Sequence, residues 1–413
     1  MRILYVVHQF FPNHFTGTER FVLNTAKQMQ RMGHKVEVLT YCHEDDAMLL
    51  KNGIFYKNYE YQGISVISIR HKKIPPDVSF DIFDNELLNF LKNIITKEKY
   101  DIVHVAHPMR LGSAVKIAVN AGLPIVLTLT DFWLICPRGI AVTSKGELCH
   151  NSNRGSKCAI DCGFPKKKLM DRLASTDEIL KSSDCIVTAT RFLRRIFEIN
   201  CQDFKAEFIP FGEDYSNVIP NSKKYSEKSE INFGFLSAVQ PHKGAHILLD
   251  AFKRANMDNS RVSIYGHYFG ESIYYTNLKE KYESNKVQFF GKYIYEDMAK
   301  IFNKIDLLVV PSIWWENSPL VLISALAHSV PAIVSNLGGL NDIVKEGTNG
   351  FVFEAGSAES LSNVIKNICS DPTILNDVKK SLRHPARIEE QAFEYEKIYI
   401  RLLDERKMPH TKR

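Results

Sequence analysis

The chain has no apolar stretch approaching the ~20 residues that a membrane-crossing helix needs. Its N-terminus, MRILYVVHQFFP, holds only five apolar residues in a row behind one Arg, too short and wrongly flanked for a secretory signal. The sequence therefore predicts a cytosolic protein. It lacks a basic stripe with interleaved aromatics, and a net charge of +6 over 413 residues is thin, which argues against a nucleic-acid partner. The densest positive runs, Lys166-Lys167-Lys168 and the tail Arg406 to Arg413, read as solvated, with peripheral attraction to the inner face of a membrane as the alternative. No GxGxxG follows the first strand, so a dinucleotide cofactor has no support. Cysteine is sparse, eight residues with no CxxC pair, which in a cytosolic chain argues against a disulfide framework.

What is present is an alternation of apolar strands and amphipathic helices. At 413 residues, 45% hydrophobic and 24% charged, the chain is expected to form two domains of roughly 200 residues each. Arg2 to Val7 reads as a buried strand, Glu19 to Met32 as a helix ending at Gly33, and Lys35 to Thr40 as the next strand, one strand–helix–strand unit. Strands follow at 101–106, 124–129 and 184–189, with helices at 111–121 and 176–183. The turn-rich stretch 210–230 reads as a join, after which strands at 231–236, 261–265, 287–290, 306–310 and 331–334 alternate with helices at 245–255 and 295–303. The expected fold class is α/β, two tandem doubly wound parallel-sheet domains of Rossmann-like type. Their expected bounds are 1–210, 211–386, and a final helix, 387–413, crossing back to the first domain. In such sheets ligands sit outside the carboxyl ends of the strands, so a shared site belongs in the cleft between domains.

Three stretches at predicted strand ends carry candidate chemistry. In PSIWWENSPLVLISALAHSVPAIVSNLGG, Ser318 suits the N-cap and Pro319 the first position of a helix over Leu320 to His328, so free amides there face water or an anion. Glu316 precedes them beside Trp314 and Trp315, where a carboxylate either orients a sugar hydroxyl or answers the helix dipole. In Pro241-His242-Lys243-Gly244, Lys243 either adds a full charge to a helix start or is merely solvated. In Phe15-Thr16-Gly17-Thr18-Glu19, Gly17 either admits a ligand to the backbone or belongs to an ordinary turn. A close-approach loop, a cation and a helix N-terminus together suit a diphosphate.

These stretches resemble the retaining, nucleotide-sugar-dependent glycosyltransferases of the GT-B fold, family four, often labelled group 1. TGTERFVLNTAKQMQRMGHKVEVLT resembles their first loop, helix and second strand, FIPFGED their interdomain join, and FLSAVQPHKG their phosphate-binding Lys motif. VVPSIWWENSPLVLISALAHSVPAIVSNLGGLNDIVKEGTNGFVF resembles their donor-binding motif, and VLTLTDFWLICPRG a branch carrying a Cys-containing insertion. The resemblance implies metal-independent transfer of a hexosyl group, with retention, from a UDP- or GDP-type donor to a glycan or lipid-linked hydroxyl, in polysaccharide biosynthesis. It implies that Lys243 and Gly244 grip the diphosphate, that Asn317, Ser318 and the amides near Pro319 and Leu320 cap it, and that Gly17 approaches from the other domain. Glu316, with Asp131, is implied as catalytic; Gly291 and Ser324 are implied on the nucleoside side. The first domain would be the acceptor side and the second the donor side.

The sequence departs from that pattern where Ser324 replaces a second Glu, Ala238 an Arg, and Thr130 a His before Asp131-Phe132-Trp133. Two readings stay open: an active transferase with altered donor contacts, and a catalytically silent relative that binds a glycan or a partner; an epimerase of the same architecture is a third. The insertion over 136–163 holds Cys136, Cys149, Cys158 and Cys162 with spacing C-x12-C-x8-C-x3-C. Four thiols suffice for a tetrahedral structural zinc, and unliganded thiols or disulfides are the alternatives.

Overall fold

The computed structural model describes residues 1–43, 48–266 and 272–407; of the basic tail, only Arg406 and Lys407 lie within the described residues. The chain divides into two compact units, Met1–Phe211 joined by the chain from Ile388 onward, and Gly212–Arg387.

The first unit is built on a nine-stranded sheet. Its strands are β1 (Arg2–Val7), β2 (Lys35–Tyr41), β3 (Leu49–Lys51), β4 (Ile54–Tyr61), β5 (Ile64–His71), β6 (Ile102–Val105), β7 (Ile125–Leu129), β8 (Cys185–Thr188) and β9 (Glu207–Phe208), in the order β3-β4-β5-β2-β1-β6-β7-β8-β9. From β5 to β9 neighbours pair in parallel. The central strands are buried on both faces, and β1 shows only Arg2 partly exposed, as a sheet covered by helices on both sides requires. The edge differs from the sequence expectation. Asn52-Gly53 and Gln62-Gly63 all adopt positive φ, the backbone of two-residue hairpin turns, and they fold β3, β4 and β5 into an antiparallel ribbon. The first helix, Gly17–Arg31, begins two residues before the predicted start, and helices Asn85–Lys97 and Arg191–Asn200, capped by the Asp84 and Thr190 side chains, lie where none was predicted.

The last helix, Ile388–Lys407, belongs to the first unit. Its Tyr395 and Tyr399 are fully buried and join a line of hydroxyls through the core. The Tyr399 hydroxyl lies 3.3 Å from that of Tyr5 and 2.6 Å from His104 Nδ1; His104 Nε2 reaches Thr128 at 2.7 Å, and Thr128 reaches Tyr395 at 2.9 Å. Buried polar groups satisfied in this way fix one arrangement of helix on sheet.

The second unit has a six-stranded, wholly parallel sheet of β10 (Ile231–Leu236), β11 (Ser260–Tyr265), β12 (Val287–Gly291), β13 (Leu307–Val310), β14 (Ala332–Ser335) and β15 (Gly350–Phe353), in the order β12-β11-β10-β13-β14-β15. One apolar layer packs helices Ala245–Ala255 and Ala358–Ser370 on one face, and a second packs Met298–Phe302 and Leu320–Ala327 on the other. The consequence for the site is that β10 and β13, separated by about seventy residues of chain, are neighbours, so the loops after them emerge side by side. No described helix is long and apolar enough to cross a membrane.

Candidate active site

In the second unit, the loops after β10 and β13 are tied together. The Ile313 N–H donates to the His242 carbonyl at 2.9 Å, and the chain turns at Gly244 with φ +75, where a Cβ would stand 1.8 Å from the Pro311 carbonyl oxygen. Only glycine fits this crossing. Lys243, ending a short 3-10 turn over Pro241–Lys243, is thereby aimed across the Trp314 ring, 4.5 Å from its centroid, to Glu316, where Nζ lies 2.7 Å from Oε1.

Glu316 Oε1 also accepts from the Ser312 hydroxyl at 2.7 Å and from Trp314 Nε1 at 2.8 Å. Burial pushes its carboxyl up, but the charge of Lys243 and these three hydrogen bonds outweigh burial and hold it below the ordinary value. The loop after β14 covers the same residue: Gly339 N–H donates to the Glu316 carbonyl at 2.8 Å, and a Cβ on Gly338, φ +59, would stand 2.7 Å from that oxygen.

Asn317 is buried, Ser318 and Pro319 are half-buried, and helix Leu320–Ala327 follows directly. The sequence expectation is corrected by one residue here: Pro319, not Ser318, is the boundary residue, because its ψ of 115 is extended, and no side chain caps the helix. The Pro319 carbonyl takes the Leu322 and Ile323 amides. Ser324, one turn further on, donates its hydroxyl to Glu213, which Tyr295 also hydrogen-bonds. Glu213 is buried, and burial raises its carboxyl above the ordinary value despite these bonds. It lies in the quoted FIPFGED stretch, but nothing in the sequence joins it to Ser324, 111 residues away. Gly291 ends β12 with φ +74 and open space where a side chain would be.

His242 stands 4.6 Å from the Trp314 ring, and burial, then the Lys243 charge, lower it from 6.5 to about 4. A histidine lowered on folding contributes stability that is complete above its unfolded value and is lost as pH falls towards the folded one. Acidification from pH 6.5 towards 4 is therefore expected to destabilise the second unit through His242, and Glu316 extends the loss below about 4.5, its ordinary value. A His242→Gln variant should show a smaller drop in melting temperature between pH 7 and 5 than the unaltered chain; equal drops would refute the assignment.

The first unit holds the other candidates. Gly17 opens helix Gly17–Arg31, and a Cβ there would meet nothing within 4 Å, so packing within the unit does not demand glycine. Thr18 donates to Thr130 at 3.0 Å, which sets this loop against the end of β7 and so near Asp131. Asp131 Oδ1 accepts the Trp133 N–H at 2.8 Å, and Oδ2 lies 3.0 Å from His107 Nε2. Because the Met109 N–H donates to His107 Nδ1 at 3.2 Å, the ring proton is on Nε2 and points at Asp131. Beyond it, His8 packs tilted against His107 with ring centroids 4.1 Å apart and lies 3.6 Å from Glu19, and His8 Nδ1 and Glu19 Oε1 are buried without a hydrogen-bond partner. His107 follows a predicted strand directly, a signal that sequence reasoning passed over.

Cys136, Cys149, Cys158 and Cys162 line one small cavity as free thiols. Burial, then the nearness of the other thiols, pushes Cys158 up to about 12.

Residues 15–214 match the model described as Glycosyltransferase Family 4, and residues 219–390 the model described as Glycosyl transferases group 1. The chain is 23% identical over 347 residues to an uncharacterised glycosyltransferase of Methanocaldococcus jannaschii, covering 83% of this chain and 84% of that one. It is 25% identical over 315 residues to the UDP-Gal:alpha-D-GlcNAc-diphosphoundecaprenol alpha-1,3-galactosyltransferase of Escherichia coli, covering 73% and 75%. Among solved structures, the sucrose-phosphate synthase of Thermosynechococcus elongatus matches with a TM-score of 0.72 at 17% identity over 98% of this chain and 99% of that one. HepE of Anabaena, solved with UDP and glucose, matches with a TM-score of 0.67 at 17% identity over 96% and 98%. The two parallel-sheet units are those of the GT-B glycosyltransferase fold.

Proposed function

Since the chain carries a glycosyltransferase family 4 domain followed by a group 1 domain, we propose that it transfers a sugar, with retention and without a catalytic metal, from a nucleoside-diphosphate sugar to a glycan or lipid-linked hydroxyl. The observation that carries this reading is the Lys243–Glu316 pair at 2.7 Å, lying at the uncapped start of helix Leu320–Ala327. When the bond from the anomeric carbon to the phosphate oxygen breaks, the electron pair leaves with the diphosphate. The Lys243 ammonium and the helix amides then neutralise that charge from a fixed geometry. This is the work a divalent metal does in other transferases, and two positive sources make it dispensable here.

Glu316 holds Lys243 in place before the donor arrives and meets hydroxyls of the transferred sugar once the ammonium turns to phosphate. Asn317, Ser318, Pro319 and Leu320 line the phosphate end, and Gly244 admits it closely; in the first unit, Gly17 leaves its loop open to a close-approaching ligand. Gly291 and the Ser324–Glu213 pair face the nucleoside. Asp131, oriented by His107, serves the acceptor hydroxyl. A UDP-type donor is supported by HepE, solved with UDP and glucose, and a diphosphate-lipid acceptor by the name of the E. coli relative.

A thermal-shift screen against UDP, GDP and ADP and their sugars tests the reading. One nucleotide class should raise the melting temperature by mass action, and proton NMR of the product should show the donor's anomeric configuration kept. Absence of a shift with every nucleotide would refute it.

A further inference from the structure

We propose that the cavity walled by Cys136, Cys149, Cys158 and Cys162 is a structural zinc site that closes the insertion in the first unit. This is independent of the transferase reading.

Residues 136–163 have no core of their own. They contain one isolated bridge, Val142 to Leu148, and one short helix, Ser156–Asp161, and Gly139, Ala141, Gly146, Asn153, Arg154, Gly155 and Gly163 all adopt positive φ. A segment this long and this rich in turns needs a fastening. Cys136, Cys149, Cys158 and Cys162 form no disulfide, so none supplies it.

The turns converge on sulfur. Cys136 follows the segment entering from Phe132, Cys149 is drawn in by its N–H to the Ala141 carbonyl at 2.8 Å, and Cys158 and Cys162 lie one turn apart, which puts both side chains on one side of that turn. The four line the same cavity, of about 20 Å³, room for one ion or one water. At its rim, the backbone N–H groups of Arg138, Gly139 and Ala141 lie near the Cys136 sulfur, the kind of outer support that a metal-bound sulfur has.

Among the described residues, no group of three or more His, Cys, Asp or Glu side chains is placed to hold a metal ion as it stands. Metal entry therefore draws the sulfurs inward, and binding is coupled to ordering of the insertion. Four thiols fit tetrahedral zinc, with Zn–S bonds of about 2.3 Å; each gives its proton to solvent as its sulfur becomes a ligand.

The test is metal content. The full chain, expressed with zinc in the medium and purified without chelator, should hold close to one zinc per chain by plasma mass spectrometry. A mercurial that titrates four thiols should release it to a chromophoric indicator. Cobalt in its place should give the intense visible bands of a tetrahedral thiolate complex. Cys149→Ser and Cys162→Ser should each lose the metal; should either fail to fold, chelation of the unaltered chain should open 136–163 to limited proteolysis and zinc should close it again. Little bound metal with four freely titrating thiols, iron in place of zinc, or a mass two units lower for each disulfide would overturn the assignment.

Discussion

A Lys243→Ala variant is expected to lose at least two orders of magnitude in kcat/KM for its nucleotide-sugar. A charge-assisted contact to phosphate is worth roughly 1.5–3 kcal/mol, about 10- to 150-fold, and the group is required more in the transition state than in the ground state, because charge on the leaving oxygen grows as the bond breaks. The variant has a second defect that must be separated from the first. Lys243 and Glu316 are 19% and 9% exposed at their side chains, so removing one leaves a buried charge held only by Ser312 and Trp314. Breaking a buried pair costs about 3–5 kcal/mol of stability. The double variant Lys243→Met with Glu316→Gln removes both charges and should recover much of the melting temperature. Activity should stay low. Recovery of turnover along with stability would show that Lys243 acts as a structural partner and not on the donor.

Gly244→Ala is expected to destabilise the second unit by roughly 4 kcal/mol or more, in the exceptional range for one substitution. Two costs add: an L-residue held at φ +75, about 1–2 kcal/mol, and a Cβ driven to 1.8 Å from the Pro311 carbonyl. The oxygen is backbone, continuous with β13, and cannot swing aside as a side-chain tip could. Gly291→Ala is the control, with nearly the same φ and nothing within 4 Å of the added carbon, so only the conformational cost, about 1–2 kcal/mol, applies. Urea titration of the two variants should separate them clearly. Near-equal midpoints would mean that the two loops part more easily than their hydrogen bond implies.

Much of this was legible in the sequence, for identifiable reasons. Strands such as 2–7 and 231–236 are apolar but for one residue each, Arg2 and Asn232, and the β–α alternation needs nothing beyond periodicity. Lys243 and Glu316 were each placed at a strand end by pattern. Their meeting depends on β10 and β13 being neighbours, which no local signal encodes. The ribbon of β3, β4 and β5 was missed although Asn52-Gly53 marks its turn, because β3 is short and exposed throughout and β4 is part-exposed and interrupted by polar residues, so neither shows a long apolar run. The bond from Ser324 to Glu213 was not legible at all: the same hydroxyl that replaces an expected carboxylate finds one on a distant segment.

The route of the chain has a further consequence for how the molecule is made. A ribosome that has translated as far as Arg387 has joined every residue of the second unit, while the first, begun earlier, still lacks the helix that covers Tyr5, His104 and Thr128. Those hydroxyl and imidazole groups stay wet until Tyr395 and Tyr399 leave the exit tunnel. The part synthesised first is thus the part completed last, and the nascent chain reaches its native interior in the reverse of the N-terminal-first order usual for domains in series.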